Sequence, residues 1–158
     1  YYKDMLRTLA QEVHALLDID MYQETYYQNV FYQKLSKVPY LSVNKEVMVV
    51  YLVESCSLPF GYGRIDLLVI DAWGRHHIIE LKVNSKRIGA DTKQAKKYLQ
   101  HYTYGNVASC TVINFLRDSV HIRTILDGTL QVEPISYNSV GGSGISNELI
   151  LKKTFQPE

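Results

Sequence analysis

The 158-residue chain predicts an α/β domain with a mixed central sheet flanked by helices. Three observations carry that expectation. Two amphipathic helical stretches open the chain. Runs rich in β-branched residues follow them. A helical segment interrupts these runs after the third, and a helix between strands implies a crossover, hence a parallel pair within the sheet.

The elements follow in order. Tyr2, Met5, Leu6, Leu9, Val13, Leu16 and Leu17 recur at spacings of three and four, one apolar helical stripe. Asp18 to Asp20 break it. A second helix is expected from about Tyr22 to Leu35, with Tyr26, Tyr27, Val30, Phe31 and Leu35 inward and Val38-Pro39 as its end. Asn44 to Glu54 reads as a strand and Ser55 to Gly63 as a loop. Arg64 to Ile70 and His76 to Val83 read as two strands joined at Asp71-Ala72-Trp73-Gly74-Arg75, with Gly74 free to take positive φ. A helix from Ala90 to about Tyr104 sets Ala95, Tyr98, Leu99 and Tyr102 on one side, with Gly105 as its stop. Ala108 to Phe115 and Val120 to Leu126 form a further hairpin. The domain is expected over 1–127 and a C-terminal extension over 128–158. There "NSVGGSG" is a loop by composition, natural or an inserted linker at 141–144, and "ELILKKTF" a late strand.

The hairpin "GRIDLLVIDAWGRHHIIELKV" carries charge where valine would pack better. Side chains alternate along a strand, so Glu80 and Lys82 share a face. A turn centred on Trp73 sets Asp66 across from Glu80. Like charges directly opposite destabilise a sheet, and burial makes this worse. A hard divalent cation between the two carboxylates, Mg²⁺ or Mn²⁺ with water completing its shell, resolves the conflict. Lys82 could then hold a water nucleophile or a phosphoryl oxygen, which together suits phosphodiester hydrolysis. The plainer alternative is a solvated Glu80–Lys82 ion pair with Asp66 incidental.

An Asp on one strand followed by Glu-x-Lys on the next resembles the PD-(D/E)XK nuclease superfamily. "GRIDLLV", "IIELKV", "QAKKYL" and the element order α-β-β-β-α-β agree with it. The landmarks are most similar to its group named for a Gly-x-x-Glu-x-x-Tyr motif, with "ETYYQNVF" and "VINF" in place. Met21 stands where the motif glycine belongs, "DIDM" replaces the usual turn, and one inserted residue separates the motif positions. The resemblance implies a restriction-endonuclease-like core and a Mg²⁺- or Mn²⁺-dependent deoxyribonuclease of little sequence specificity. Carried over by residue, it makes Asp66 and Glu80 metal ligands, joined by the Leu81 carbonyl and by Glu24 from the helix. It gives Lys82 the water or the transition state, and Gln94 and Tyr98 a reach to the site or the DNA backbone. Glu12, His14, His76 and His77 read as structural.

Net charge is only +1, so a nucleic-acid partner must rest on local charge. Lys82, Lys86, Arg87, Lys93, Lys96 and Lys97 stand against the lone Asp91 within 82–97. The five after Lys82 are expected to grip phosphates without reading sequence. DNA is the expected partner, RNA stays open, and the resemblance allows a homodimer. Two cysteines outside any CxxC pair argue against structural zinc and for a reducing compartment. With no secretory leader and no membrane-length apolar run, an intracellular protein is expected. The alternatives are a nuclease-fold module that binds nucleic acid or protein without cutting, and an assembly role in which the tail adds a strand to a neighbour.

Overall fold

The computed structural model describes residues 2–52, 60–127 and 147–153. Helices α1 (Tyr2–Leu16) and α2 (Glu24–Ser36) precede strands β1 (Ser42–Leu52), β2 (Phe60–Ile70) and β3 (His76–Val83). Helix α3 (Ile88–His101) follows, then β4 (Val107–Phe115), β5 (Ser119–Asp127) and β6 (Asn147–Lys152). The six strands lie in the order β1-β2-β3-β4-β5-β6. β3 and β4 are parallel and every other pair antiparallel. This is the mixed sheet that the single interposed helix requires. The expected linker at 141–144 and the end of the first strand at Glu54 lie outside the described residues.

Helices cover both faces of the sheet. On one face Leu6, Leu9 and Val13 of α1 and Tyr27, Phe31 and Leu35 of α2 meet Leu67, Ile79, Leu81, Ile113 and Phe115. The Phe115 ring is central, 4.8 Å from that of Tyr27 and 6.5 Å from that of Phe31, distances at which aromatic pairs attract. On the other face Ala95 and Tyr98 of α3 meet Ile65, Leu68, Ile78, Cys110 and Val112. Cys110 is buried and reduced. No helix among the described residues is long and apolar enough to cross a membrane.

Several expectations are corrected. Leu16 and Tyr26 sit on the flanks of their apolar stripes and are half-exposed, and Tyr26 stacks on Tyr22 instead of entering the core. The strand after the first loop begins at Phe60, not Arg64, because β1 is long enough to pair with all of it. α3 stops at His101, before the expected Tyr104. Tyr102 turns extended, and its hydroxyl meets His76 Nδ1. Gly105 serves a different purpose from a helix stop, since a Cβ there would lie 2.6 Å from the His76 ring.

The turn between α1 and α2 closes without glycine. Asp18 does the work: its carbonyl accepts from Met21 and Tyr22 N–H, and its carboxylate accepts from Asp20 N–H at 2.9 Å. The β2–β3 turn closes as expected, with Gly74 at φ 78°. Asp71 ties it down, accepting from Trp73 N–H and Arg75 N–H and pairing with the buried His77 at 2.9 Å.

Candidate active site

The sheet forks. β2 and β3 pair from Ile70 and His76 as far as Leu67 and Ile79, the register expected for a turn centred on Trp73. Beyond that point β2 runs on against β1 alone, and β3 runs on against β4 alone. Asp66 and Glu80 come next in register and occupy the mouth of the fork. They bridge it with side chains instead of backbone. Asp66 N–H donates to Glu80 Oε1 at 3.2 Å, and Leu81 N–H donates to Asp66 Oδ2 at 2.7 Å.

Glu80 is only 2 % exposed, which excludes the solvated ion-pair reading of the sequence. Burial pushes its carboxyl well above the ordinary carboxylate range, and the charge of Asp66 pushes it further. Burial also raises Asp66, opposed by the Leu81 N–H. Two carboxyls this close titrate as a coupled pair, and both are shifted toward their neutral forms.

The surrounding elements aim further groups at the fork. Glu24 is the first residue of α2. Burial raises its carboxyl, Lys82 opposes the rise, and the charges of Asp66 and Asp91 add to it. Lys82, two residues beyond Glu80 on the same strand face, donates from Nζ to Gln94 Oε1 of α3 at 3.4 Å. Glu24, Asp66, Glu80, Lys82 and Gln94 thus come together. Tyr98 is buried, with its ring laid on Gly63, where a Cβ would meet its Cε1 at 2.1 Å. The "GRID" glycine is a close-approach position for that ring.

Sequence reasoning passed over Glu46. It lies in β1 between the pairs Lys45–Leu67 and Val47–Ile65, in register with Asp66 but unpaired, at φ 56°. At this irregularity the β1–β2 ribbon crosses from one core to the other: Leu67 faces α1 and α2, whereas Ile65 faces α3. The Glu46 charge also raises Asp66. Glu46 opens the run "EVMVV" without interrupting it, so side-chain pattern does not single it out.

The basic segment begins beside the site. Asn114 exchanges hydrogen bonds with the Ser85 backbone at 3.1 and 2.8 Å, and Ser85 Oγ donates to Asp91 at 2.6 Å. This holds the loop bearing Lys86 and Arg87 at the start of α3, along which Lys93, Lys96 and Lys97 continue. His14, His76, His77 and Glu12 lie elsewhere. His14 is buried against the Leu116 carbonyl, Glu12 pairs with Lys34, and His76 and His77 stand at the turn end of the sheet.

Among the described residues, no three His, Cys, Asp or Glu side chains converge closely enough to cage an ion by themselves. The donor set at the fork is nevertheless all oxygen, with two carboxyls meeting and a third held near them. That chemistry fits a hard cation whose shell is completed by water and substrate.

A forked mixed sheet with Asp on one arm, Glu-x-Lys on the other and helices on both faces is the frame of a restriction-endonuclease-like nuclease. The chain belongs to the PD-(D/E)XK nuclease superfamily, whose family model matches residues 2–125. Comparison with curated protein sequences gives no match.

Proposed function

We propose that the chain is a divalent-metal-dependent nuclease that hydrolyses DNA phosphodiesters with little sequence specificity, and that it is of the Gly-x-x-Glu-x-x-Tyr group. The single observation that carries this reading is the pair of the half-buried Asp66 and the buried Glu80 at the mouth of the fork. Two acids are placed there at a cost to the fold, a cost that a cation's charge would offset. Asp66, Glu80, the Leu81 carbonyl and Glu24 would hold Mg²⁺ or Mn²⁺. Bound there, the ion would acidify a water and offset charge developing on the phosphate.

The chain's own groups supply the rest. Lys82 presents an ammonium on the Glu80 face of β3, where it can orient the attacking water or stabilise the developing oxyanion. Gln94 holds that ammonium in place. Lys86, Arg87, Lys93, Lys96 and Lys97 bind backbone phosphates whatever the bases, which fits weak sequence preference.

The experiment is cleavage of single-stranded, duplex and branched DNA, and of RNA, with Mg²⁺ or Mn²⁺ and with chelator. Cleavage should need metal and vanish in Glu80→Gln and Lys82→Ala. Cleavage that persists in both variants with chelator present refutes the proposal. A second reading, binding without cutting, draws on the lack of a ready three-ligand cage among the described residues. It is preferred if the chain binds DNA but leaves every substrate intact with either metal.

A further inference from the structure

Beyond the fork, β1 and β2 form a two-stranded arm with two distinct faces. Val47, Val49, Gly63 and Ile65 point inward, where Tyr98 and Ala95 of α3 pack against them. Met48, Val50, Tyr62 and Arg64 alternate with these and point outward, and all four are exposed. Met48 faces Arg64 across the ribbon, and Val50 faces Tyr62. Tyr62 is 65 % exposed, and Arg64 and Tyr62 lie two and four residues before Asp66.

This face is poorly suited to bulk water. An exposed aromatic residue and two exposed aliphatic residues stand on it with one arginine. Solvated ribbons more often carry Lys, Glu and Thr outward. Its composition fits one class of partner in particular. A nucleobase offers a π-face to a tyrosine ring, and the adjoining phosphate offers charge to an arginine. The arm is also continuous with the candidate site through Asp66, while the basic loop and helix flank that site from β3 and α3.

We propose that the outer face of the β1–β2 arm is a binding platform for an unpaired nucleic-acid strand, with Tyr62 stacking on a base and Arg64 holding the neighbouring phosphate. This rests on the proposed nuclease reading and deepens it, because it names the substrate class. A base inside a duplex has both faces covered by its neighbours, so a stacking platform selects single strands, flaps or frayed ends. Arg64 contributes salt-dependent affinity. Met48 and Val50 extend the apolar surface under the next sugar and base.

The test is equilibrium binding by fluorescence anisotropy in chelator, which separates binding from cleavage. The probes are a fluorescein-labelled single-stranded thymidine oligonucleotide, the same length as duplex, and a single strand of abasic sites. Wild type should bind the thymidine strand more tightly than the duplex or the abasic strand. Tyr62→Ala should weaken thymidine-strand binding roughly ten-fold and leave abasic-strand binding unchanged. Tyr62→Phe should bind as wild type, since the ring remains. Arg64→Ala should weaken all three probes and flatten the salt dependence. Thermal midpoints confirm folding of each variant, and exposed positions should leave them unchanged. Tyr62→Ala binding the thymidine strand as tightly as wild type overturns the platform, as does equal loss on all three probes or failure of wild type to bind any. If Tyr62-dependent binding is seen but no metal supports cleavage, the catalytic proposal fails and the platform stands.

Discussion

Asp66 N–H donates to the Glu80 carboxyl at 3.2 Å, so the two strands meet through an acid where a backbone carbonyl would ordinarily accept. Leu81 N–H makes the reciprocal bond to Asp66. The β2–β3 ladder ends at Leu67–Ile79, and both carboxyls are fixed where the strands part. Carboxyls fixed in this way would lose little entropy on taking up an ion.

The first prediction concerns pH. Both carboxyls have folded-state values above their ordinary ones, so folding favours their neutral forms. The stability this provides is complete below the unfolded value, 4.5 for Glu80, and is lost as pH rises through the folded value. Asp71 has the opposite sign. Hydrogen bonds from His77 and Arg75 outweigh its burial and hold it at about 2, so its contribution is already constant above the ordinary carboxylate range. In chelator, this contribution to the thermal midpoint should therefore be lost as the pH rises from the ordinary glutamate value through neutrality. Glu80→Gln should flatten this pH dependence and raise the midpoint at neutral pH. A Glu80→Gln midpoint that follows the same pH dependence as wild type rejects the upward shift of Glu80.

The second prediction concerns metal. Wild type at neutral pH should gain thermal stability from Mn²⁺, by the mass action of a ligand bound only to the folded state. Glu80→Gln should lose that gain, and Glu24→Gln should need roughly ten-fold more Mn²⁺ to reach it. Titration calorimetry measures both. Lys82→Ala carries no ligand change, so its Mn²⁺ affinity should hold or tighten while cleavage falls by about 10² or more. Equal Mn²⁺ binding in wild type and Glu80→Gln would remove the basis for a metal at the fork.

Much of this was readable from residue order alone. Alternation fixed the partnership of residues 66 and 80, because a two-strand register has only one free parameter once the turn is placed. The single helix after β3 likewise required the parallel pair. Tyr98 was harder to assign: its spacing from Gln94 places both on one side of α3, but only the close approach of Gly63 shows that the ring is packed against the arm. Glu46 was missed because its role depends on a φ of 56°, a local backbone choice that no pattern of side-chain types announces. The outward face of the arm was missed for a similar reason. "FGYG" reads as a loop by its glycines, yet in the structure these residues lie in a strand long enough to pair with β1 beyond the fork.

The third prediction concerns the turn. Asp71 receives two backbone N–H groups, the Arg75 guanidinium and the buried His77. Asp71→Ala leaves those donors without their acceptor and should cost about 2–4 kcal/mol in urea unfolding. Asp71→Asn retains one acceptor oxygen and should cost less. The site lies farther along β3, so surviving folded protein should cleave at the wild-type rate. Equal destabilisation by both substitutions would mean that the carboxylate charge, rather than its hydrogen bonds, secures the turn.

The fourth prediction concerns Gly63 and Tyr98, which hold the arm on the body of the domain. An alanine methyl at 63 would sit 2.1 Å from Tyr98 Cε1, and the contact is to a ring packed in the core rather than to a mobile chain end. Gly63→Ala should therefore destabilise by about 1–3 kcal/mol, as overpacked cores do. Tyr98→Leu should cost a comparable amount by leaving space unfilled. The double variant places the methyl in the space the ring vacates, so its loss should fall short of the sum by about 1 kcal/mol or more. Urea unfolding of the four proteins completes the cycle. Strict additivity would show that the ring does not rest on the glycine, and the arm would then need another anchor to stay aligned with Asp66.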